Sequence, residues 1–168
     1  MAERRPFPWV FPYQEDPTSG ETHPKGRFVY RPVVSITLVG PEGSEGPEEA
    51  TFHALVDSGA ERVLAAPGVA RQIGVTPDRH DPTPLKMGGE MRLVHPAHVT
   101  LRLAPEPGQP GFEWRTEVGF FSAWTSAPWQ VILGQVGFFD QFTVTFNRSA
   151  FQLAIEDVER FDERFGLR

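Results

Sequence analysis

The sequence Thr51-Phe52-His53-Ala54-Leu55-Val56-Asp57-Ser58-Gly59-Ala60 decides the fold prediction, because a strand-forming run ends abruptly in a turn that begins with a carboxylate. The continuous apolar run before Asp57 indicates a buried strand. A carboxylate that leaves the end of such a strand is costly unless it is hydrogen-bonded or kept protonated. Ser58 offers a hydroxyl donor, and Gly59 lets backbone N–H groups approach. Taken alone, however, Asp-Ser-Gly is a common turn sequence and favours a surface turn.

The rest of the chain is typical of short strands joined by turns. The 16 Gly and 17 Pro among 168 residues argue against a helical bundle. Alternating apolar and polar side chains predict half-buried strands at residues 34–38 and 112–120, and a closing hairpin at residues 143–155. Residues 67–73 have the pattern of a short helix. We therefore predict a mainly β protein, a small closed β-barrel with one or two short helices.

The two ends of the chain differ in composition from its centre. Residues 1–26 form a proline- and aromatic-rich arm, for which we expect an extended backbone. The arm either packs on its own domain or contributes to a dimer interface or covers a cleft. Residues 157–168 form a charged tail in which three apolar residues have helical spacing. The central domain is accordingly predicted to span residues 27–156.

Charge and composition exclude several classes of function. With 16 basic and 22 acidic residues, the net charge of −6 is a poor match to nucleic acid or to an anionic membrane. The absence of cysteine excludes disulfides, thiolate nucleophiles and Cys-based zinc sites. No apolar run is long enough to span a bilayer, so we expect a soluble, cytoplasmic protein.

No cofactor-binding motif is present in the sequence. It contains neither a phosphate-binding nor a dinucleotide-binding glycine motif, and its five histidines form no His-Glu-x-x-His helix. The histidines are therefore interpreted as surface or packing residues. We predict no metal and no organic cofactor.

Two glycine-containing segments follow the Asp57 turn. Met87-Gly88-Gly89-Glu90 predicts the tip of a hairpin between two extended arms. Val131-Ile132-Leu133-Gly134 predicts a second buried strand, and it too ends in glycine. The order of these segments favours a functional role for Asp57 over a plain surface turn.

In that order, the segments resemble the retropepsin-like aspartic protease family, and in particular its bacterial, single-domain members. The resemblance rests on Leu55-Val56-Asp57-Ser58-Gly59-Ala60, the glycine hairpin and Ile132-Leu133-Gly134. It covers about residues 27–156, and residues 138–146 also look like the tail of bacterial members. The barrel implied by the resemblance is of the acid protease type.

The resemblance also implies a role for individual residues. Asp57 would be the catalytic aspartate. The residues that support the active-site loop would be Ser58, Gly59, Ala60, Ile132, Leu133 and Gly134, with Ser58 also making contacts across a dimer. The residues in or near the flap over the substrate would be Met87, Gly88 and Gly89.

The mechanism of this family needs two aspartates, whereas Asp-Ser/Thr-Gly occurs once in this sequence. The resemblance therefore implies an aspartic endopeptidase that acts as a homodimer, with one Asp57 from each chain and a peptide or protein as substrate. Two carboxylates in contact hold one proton between them. The ionised member activates a water, and the protonated member hydrogen-bonds the peptide carbonyl.

One residue departs from the family pattern. Retroviral members carry an arginine after the apolar-apolar-Gly motif, where this chain has Gln135, so contacts between the chains are expected to differ. The alternative function, from another class, is a non-catalytic peptide-binding or scaffolding module on the same fold. A third interpretation is an unrelated β-barrel in which Asp57 caps a turn.

Overall fold

Strands dominate the computed structural model, which describes residues 8–16, 29–41, 49–87, 89–106, 108–124 and 128–167. The strands are β1 (Trp9–Pro12), β2 (Gln14–Glu15), β3 (Tyr30–Arg31), β4 (Val33–Val39), β5 (Glu49–Val56), β6 (Leu64–Ala65), β7 (Thr83–Met87), β8 (Glu90–Leu103), β9 (Phe112–Phe121), β10 (Val131–Leu133), β11 (Phe142–Asn147) and β12 (Gln152–Asp157). The helices are α1 (Pro67–Gln72) and α2 (Val158–Phe165). The predicted mainly β class with short helices is confirmed.

Six strands close into a barrel in the order β4-β5-β10-β6-β9-β8, and a pairing between β8 and β4 completes the ring. The β5–β10 and β6–β9 pairs are parallel, whereas the other pairs of the ring are antiparallel. Strand β7 pairs with β8 outside the ring. Closure leaves the ring strands with few unpaired edges, and it confirms the predicted closed barrel.

Strand β8 shares one of its edges between two neighbours. Its first part pairs with β7 and its last part with β4, so that in the described chain no strand covers this edge at residues 95–99. Pro96 lies in this interval, and its carbonyl accepts a hydrogen bond from the Asp78 N–H at 2.9 Å. Because proline has no N–H to donate, a sheet tolerates it where an edge is uncovered.

The N-terminal strand lies in a separate three-stranded sheet of order β1-β12-β11. In this sheet Trp9 lies opposite Ile155, and Phe11 lies opposite Leu153. All four side chains belong to the main apolar core. The part of the arm that forms β1 therefore packs on its own chain, through backbone pairing as well as burial.

Helix α2 covers the end of the same sheet. The Asp157 carboxylate accepts a hydrogen bond from the Arg160 N–H at 2.8 Å, which caps the start of the helix. Near its other end Arg164 donates to the buried Glu156 carboxylate at 2.6 Å. Among the described residues, no helix combines the length and apolarity needed to cross a bilayer.

Two groups of buried side chains fill the interior. The larger group lies inside the barrel and extends under the β1-β12-β11 sheet. The smaller group, called the second apolar cluster below, consists of Leu64, Leu85, Val94, Phe121 and Ile132, with Ala60, Trp124 and Trp129 packed against it. Because Ala60 belongs to it, the second cluster lies directly against the turn that follows β5.

Candidate active site

Asp57 immediately follows β5 and is half-buried. The parallel pairing of β5 with β10 places Leu55 opposite Ile132 and Val56 opposite Leu133. The Asp57 N–H then donates to the Leu133 carbonyl at 3.0 Å, which extends this pairing beyond the end of the strand. Strand β10 therefore fixes the backbone from which the Asp57 side chain emerges.

The Asp57 carboxylate is held by the backbone of its own turn. The side-chain Oδ1 atom accepts a hydrogen bond from the Gly59 N–H at 2.9 Å. The backbone carbonyl of Asp57 accepts one from the Ala60 N–H at 3.1 Å. A Cβ atom at position 59 would lie 3.2 Å from Oδ1, so glycine lets the N–H approach without crowding. Within the described chain Oδ2 has no hydrogen-bond partner, so one oxygen is positioned while the other is available.

The Ser58 side chain is exposed, and in the described residues its hydroxyl makes no hydrogen bond to Asp57. The donor to the carboxylate is the Gly59 backbone instead. The nearby Arg62 forms an ion pair with Glu117 at 3.1 Å rather than with Asp57. The charge of the Asp57 carboxylate is therefore not balanced by a neighbouring cation of this turn.

The segment after β10 holds the other side of the Asp57 loop, which we define as residues 57–61. The Gln135 N–H donates to the Ala60 carbonyl at 2.9 Å, and the Val136 N–H donates to the Glu61 carbonyl at 2.9 Å. These contacts require a close approach at Gly134, where a Cβ atom would lie 2.7 Å from the Ala60 carbonyl oxygen and still closer to that of Arg62. Any side chain at position 134 would push the two segments apart.

Sequence reasoning did not anticipate the role of the Gln135 side chain. Its Nε2 atom donates to the Ser58 carbonyl at 2.6 Å, which ties the exposed tip of the Asp57 loop to the segment after β10. The sequence did mark this position, because Gln135 stands where retroviral members of the family that the chain resembles carry an arginine. Glutamine and arginine share the ability to donate from the end of a flexible side chain.

Residues 132–134, which are predicted to support the Asp57 loop, contact it or its surroundings in three ways. Ile132 points into the second apolar cluster with Ala60, and Leu133 points into the barrel core while its carbonyl binds Asp57. Gly134 supplies the close approach. The structure thus brings the Asp57 loop and residues 132–134 together.

The β7–β8 hairpin is connected to the same cluster at its base. Leu85 of β7 and Val94 of β8 both belong to the second apolar cluster, which also contains Ile132. At the tip, Gly89 has a φ of 86° and Met87 is 37% exposed. Gly88, also predicted to lie in the flap, is outside the described residues.

The face of the hairpin opposite to the one that carries Leu85 and Val94 exposes apolar side chains. Met91 is 65% exposed and Leu93 is 50% exposed, although both are large and apolar. Flexible thioether side chains adapt to differently shaped partners. This surface is therefore suited to contact an apolar partner.

The described residues contain no group of three or more side chains arranged to hold a metal ion. Cavities lie elsewhere on the chain. One of about 560 Å³ is lined by residues of β4, β5 and the segment that follows β8, and another of about 540 Å³ lies beside α1. Neither is lined by a residue of the Asp57 loop.

Comparison with known proteins gives matches to solved structures only. No protein-family model matches the sequence, and no curated protein matches it. Nine chains of solved structures do match. One is the crystal structure of a retropepsin-like aspartic protease from Rickettsia conorii, with 11% identity, a TM-score of 0.48 and 87% of each chain covered.

Proposed function

We propose that the protein is an aspartic endopeptidase of the retropepsin-like type, in which two chains each contribute Asp57. The observation that carries the proposal is the construction of the Asp57 loop. One carboxylate oxygen is held at 2.9 Å by the Gly59 N–H, and the loop is joined to β10 at one end and to the segment after β10 at the other. A surface turn needs the first contact alone, whereas a catalytic carboxylate also needs the second, because its position must be fixed.

The chemistry needs a second carboxylate beside the first. The sequence has one Asp-Ser/Thr-Gly, so the second comes from another copy of the chain. A two-fold axis beside the loop places the same residues of both copies in contact. Ser58, Gly59 and Gln135 are exposed at this surface, and Val136 adds an apolar side chain that is 51% exposed.

The pair of carboxylates then acts as acid and base at once. Like charges in contact cannot both remain ionised, so the pair holds one proton. The ionised carboxylate takes a proton from a water molecule, and the resulting hydroxide attacks the peptide carbonyl carbon. The protonated carboxylate hydrogen-bonds the carbonyl oxygen, where negative charge develops. The proton taken from the water then passes to the amide nitrogen as the C–N bond breaks, which releases an amine and a carboxylic acid. No metal or organic cofactor takes part in this scheme.

Substrate is an extended peptide that lies between the Asp57 loops and the two hairpins. The exposed Met87 side chain of each hairpin, which lies on the same face as Leu85, supplies an apolar contact to it. The second apolar cluster connects the base of the hairpin to the loop through Leu85, Ala60 and Ile132. The hairpin and the Asp57 loop therefore share one apolar support.

The direct test is cleavage of a mixed peptide library by wild-type protein at high concentration, from acid to neutral pH. We expect Asp57→Asn to abolish cleavage and Asp81→Asn to leave it unchanged, since Asp81 is exposed and outside the loop. Retained cleavage by Asp57→Asn would refute the proposal. Peptide binding without cleavage by the wild type would favour the alternative of a non-catalytic module.

A mixing experiment tests the contribution of two chains. Asp57→Asn protein is added in increasing excess to a fixed amount of wild type, after conditions that allow subunits to exchange. If each site needs two Asp57 residues, the activity that remains falls in proportion to the probability that a wild-type chain finds a wild-type partner. Activity that does not change with added Asp57→Asn would exclude a shared site.

A further inference from the structure

A cavity of about 540 Å³ lies beside helix α1, lined by residues of α1, the segment after it, His95 of β8 and the end of β9. Its volume is within the range of about 300–1,000 Å³ that is typical of small-molecule sites. Pro67, Val75 and Pro77 are partly exposed and contribute apolar wall. The polar lining includes Arg71, Arg79, His95 and Ser122.

The charge of this lining is opposite to that of the protein. The chain as a whole carries −6, yet the cavity is lined by two arginines and by no aspartate or glutamate. Within the described residues neither Arg71 nor Arg79 has an ion-pair partner. Nearby, the Asp78 carboxylate already accepts a hydrogen bond from the His80 N–H at 2.8 Å.

The other large cavity offers a comparison, because its arginine is paired with carboxylates. Its lining includes Arg102, which contacts Glu113 and, at 2.9 Å, Glu49. The hydrogen bond to Glu113, with the further contact to Glu49, raises the pKa of Arg102 above its usual value. Arg71 and Arg79 line a cavity of similar size with no carboxylate among its lining residues, so both guanidinium groups are available to pair with an anion.

The His95 ring is fixed in the wall of the cavity. Its Nδ1 atom lies 3.1 Å from the Asp78 carbonyl oxygen, which can only accept, so Nδ1–H is the donor. Its Nε2 atom lies 2.9 Å from the Ser122 hydroxyl, which donates to it when the ring is neutral. Because both ring nitrogens are engaged, His95 and Ser122 form a fixed polar edge beside the arginines.

We propose that this cavity binds a small organic anion, a phosphate monoester or a carboxylate with an apolar body. The anionic group pairs with the guanidinium groups of Arg71 and Arg79, which are suited to both kinds of anion. The apolar body lies against Pro67, Val75 and Pro77. The site is separate from the Asp57 loop, so the proposal does not depend on peptidase activity.

Calorimetric titration tests the site with three defined probes: phenyl phosphate, benzoate and neutral benzyl alcohol. We expect saturable binding of at least one anion and much weaker binding of benzyl alcohol. The tighter of the two anions identifies the phosphate or the carboxylate as the preferred group. Absence of saturable binding by both anions at millimolar concentration, or equal binding of benzyl alcohol, overturns the proposal.

Three variants locate the binding. Arg71→Gln with Arg79→Gln should weaken anion binding at least tenfold, a loss of about 1.4 kcal/mol or more. Arg115→Gln, which removes the same charge from an exposed position of β9 outside the cavity, should leave it unchanged. An equal loss in Arg115→Gln, or no loss in the double variant, overturns the proposal.

The third variant, Asp57→Asn, should bind the anion as the wild type does. Circular dichroism of each variant confirms that its fold is retained. The binding result is then independent of cleavage, so failure of the anion site and failure of the proposed peptidase are distinguished. Loss of anion binding in folded Asp57→Asn overturns the separation of the two sites.

Discussion

The Asp57 loop and the tip of the β7–β8 hairpin are both glycine-containing turns, and they are built in opposite ways. Backbone hydrogen bonds join the loop to β10 and to the residues that follow it. The hairpin instead rests on the second apolar cluster through Leu85 at its base. Toward its tip it leaves Met87 37% and Met91 65% exposed.

This difference separates two requirements of the proposed function. A carboxylate that reacts must be held in place, whereas a surface that binds varied peptides must adapt. Substitutions at the loop should therefore lower stability and activity together. Substitutions at the hairpin should change substrate affinity while the free energy of unfolding stays nearly constant.

The largest effect is expected from Gly134→Ala. The added Cβ would lie 2.7 Å from the Ala60 carbonyl oxygen, and the rigid backbone on both sides cannot move away cheaply. We expect the free energy of unfolding, measured in urea, to fall by about 3 kcal/mol. Peptide cleavage should fall with it, because the Asp57 loop is displaced.

Gly68→Ala is the matched control for this substitution. Gly68 lies in helix α1, where the nearest atom to an added Cβ is the Arg71 Nη2 at 3.7 Å, an ordinary contact. Alanine is the better helix former, so the control should retain or slightly raise stability. A Gly134→Ala protein as stable and active as this control would show that the loop is less constrained than its contacts indicate.

A smaller effect is expected when the side chain of Gln135 is changed. Gln135→Glu has nearly the same shape but cannot donate to the Ser58 carbonyl when ionised, whereas Gln135→Arg can. We expect Gln135→Glu to lower stability by about 1 kcal/mol and peptide cleavage roughly tenfold, with kcat more affected than KM. Gln135→Arg should retain most activity. Equal losses in the two variants would show that the hydrogen bond does not position the loop.

The sequence predicted the parts of the structure that depend on local pattern. The apolar run before Asp57 is a buried strand, residues 34–38 and 112–120 lie in strands, and the strands close into a barrel. The pairing of the Asp57 turn with residues 132–134 was implied by the family resemblance. The geometry at Gly134 gives it a physical reason, since two backbone segments meet where a side chain would not fit.

The other features of the structure depend on tertiary contacts, which no local sequence pattern contains. Gln135 and Ser58 are 77 residues apart, so their hydrogen bond could not be inferred from spacing. His95, which the sequence indicates as a surface or packing residue, lines a cavity with arginines from a different part of the fold. That cavity exists because helix α1 and the end of β9 are adjacent, which follows from barrel closure.

The smallest change in stability is expected at the hairpin, with Met87→Ser. Because Met87 is 37% exposed and lies at the end of β7, its loss should change the free energy of unfolding by less than about 0.5 kcal/mol. KM for a cleaved peptide should nevertheless rise several-fold with little change in kcat, since an apolar contact to substrate is lost. Val10→Ser, at a 57% exposed position of the separate β1-β12-β11 sheet, should leave KM unchanged. Urea denaturation and steady-state kinetics measure both quantities, and an equal rise of KM in the two variants would remove the hairpin from substrate recognition.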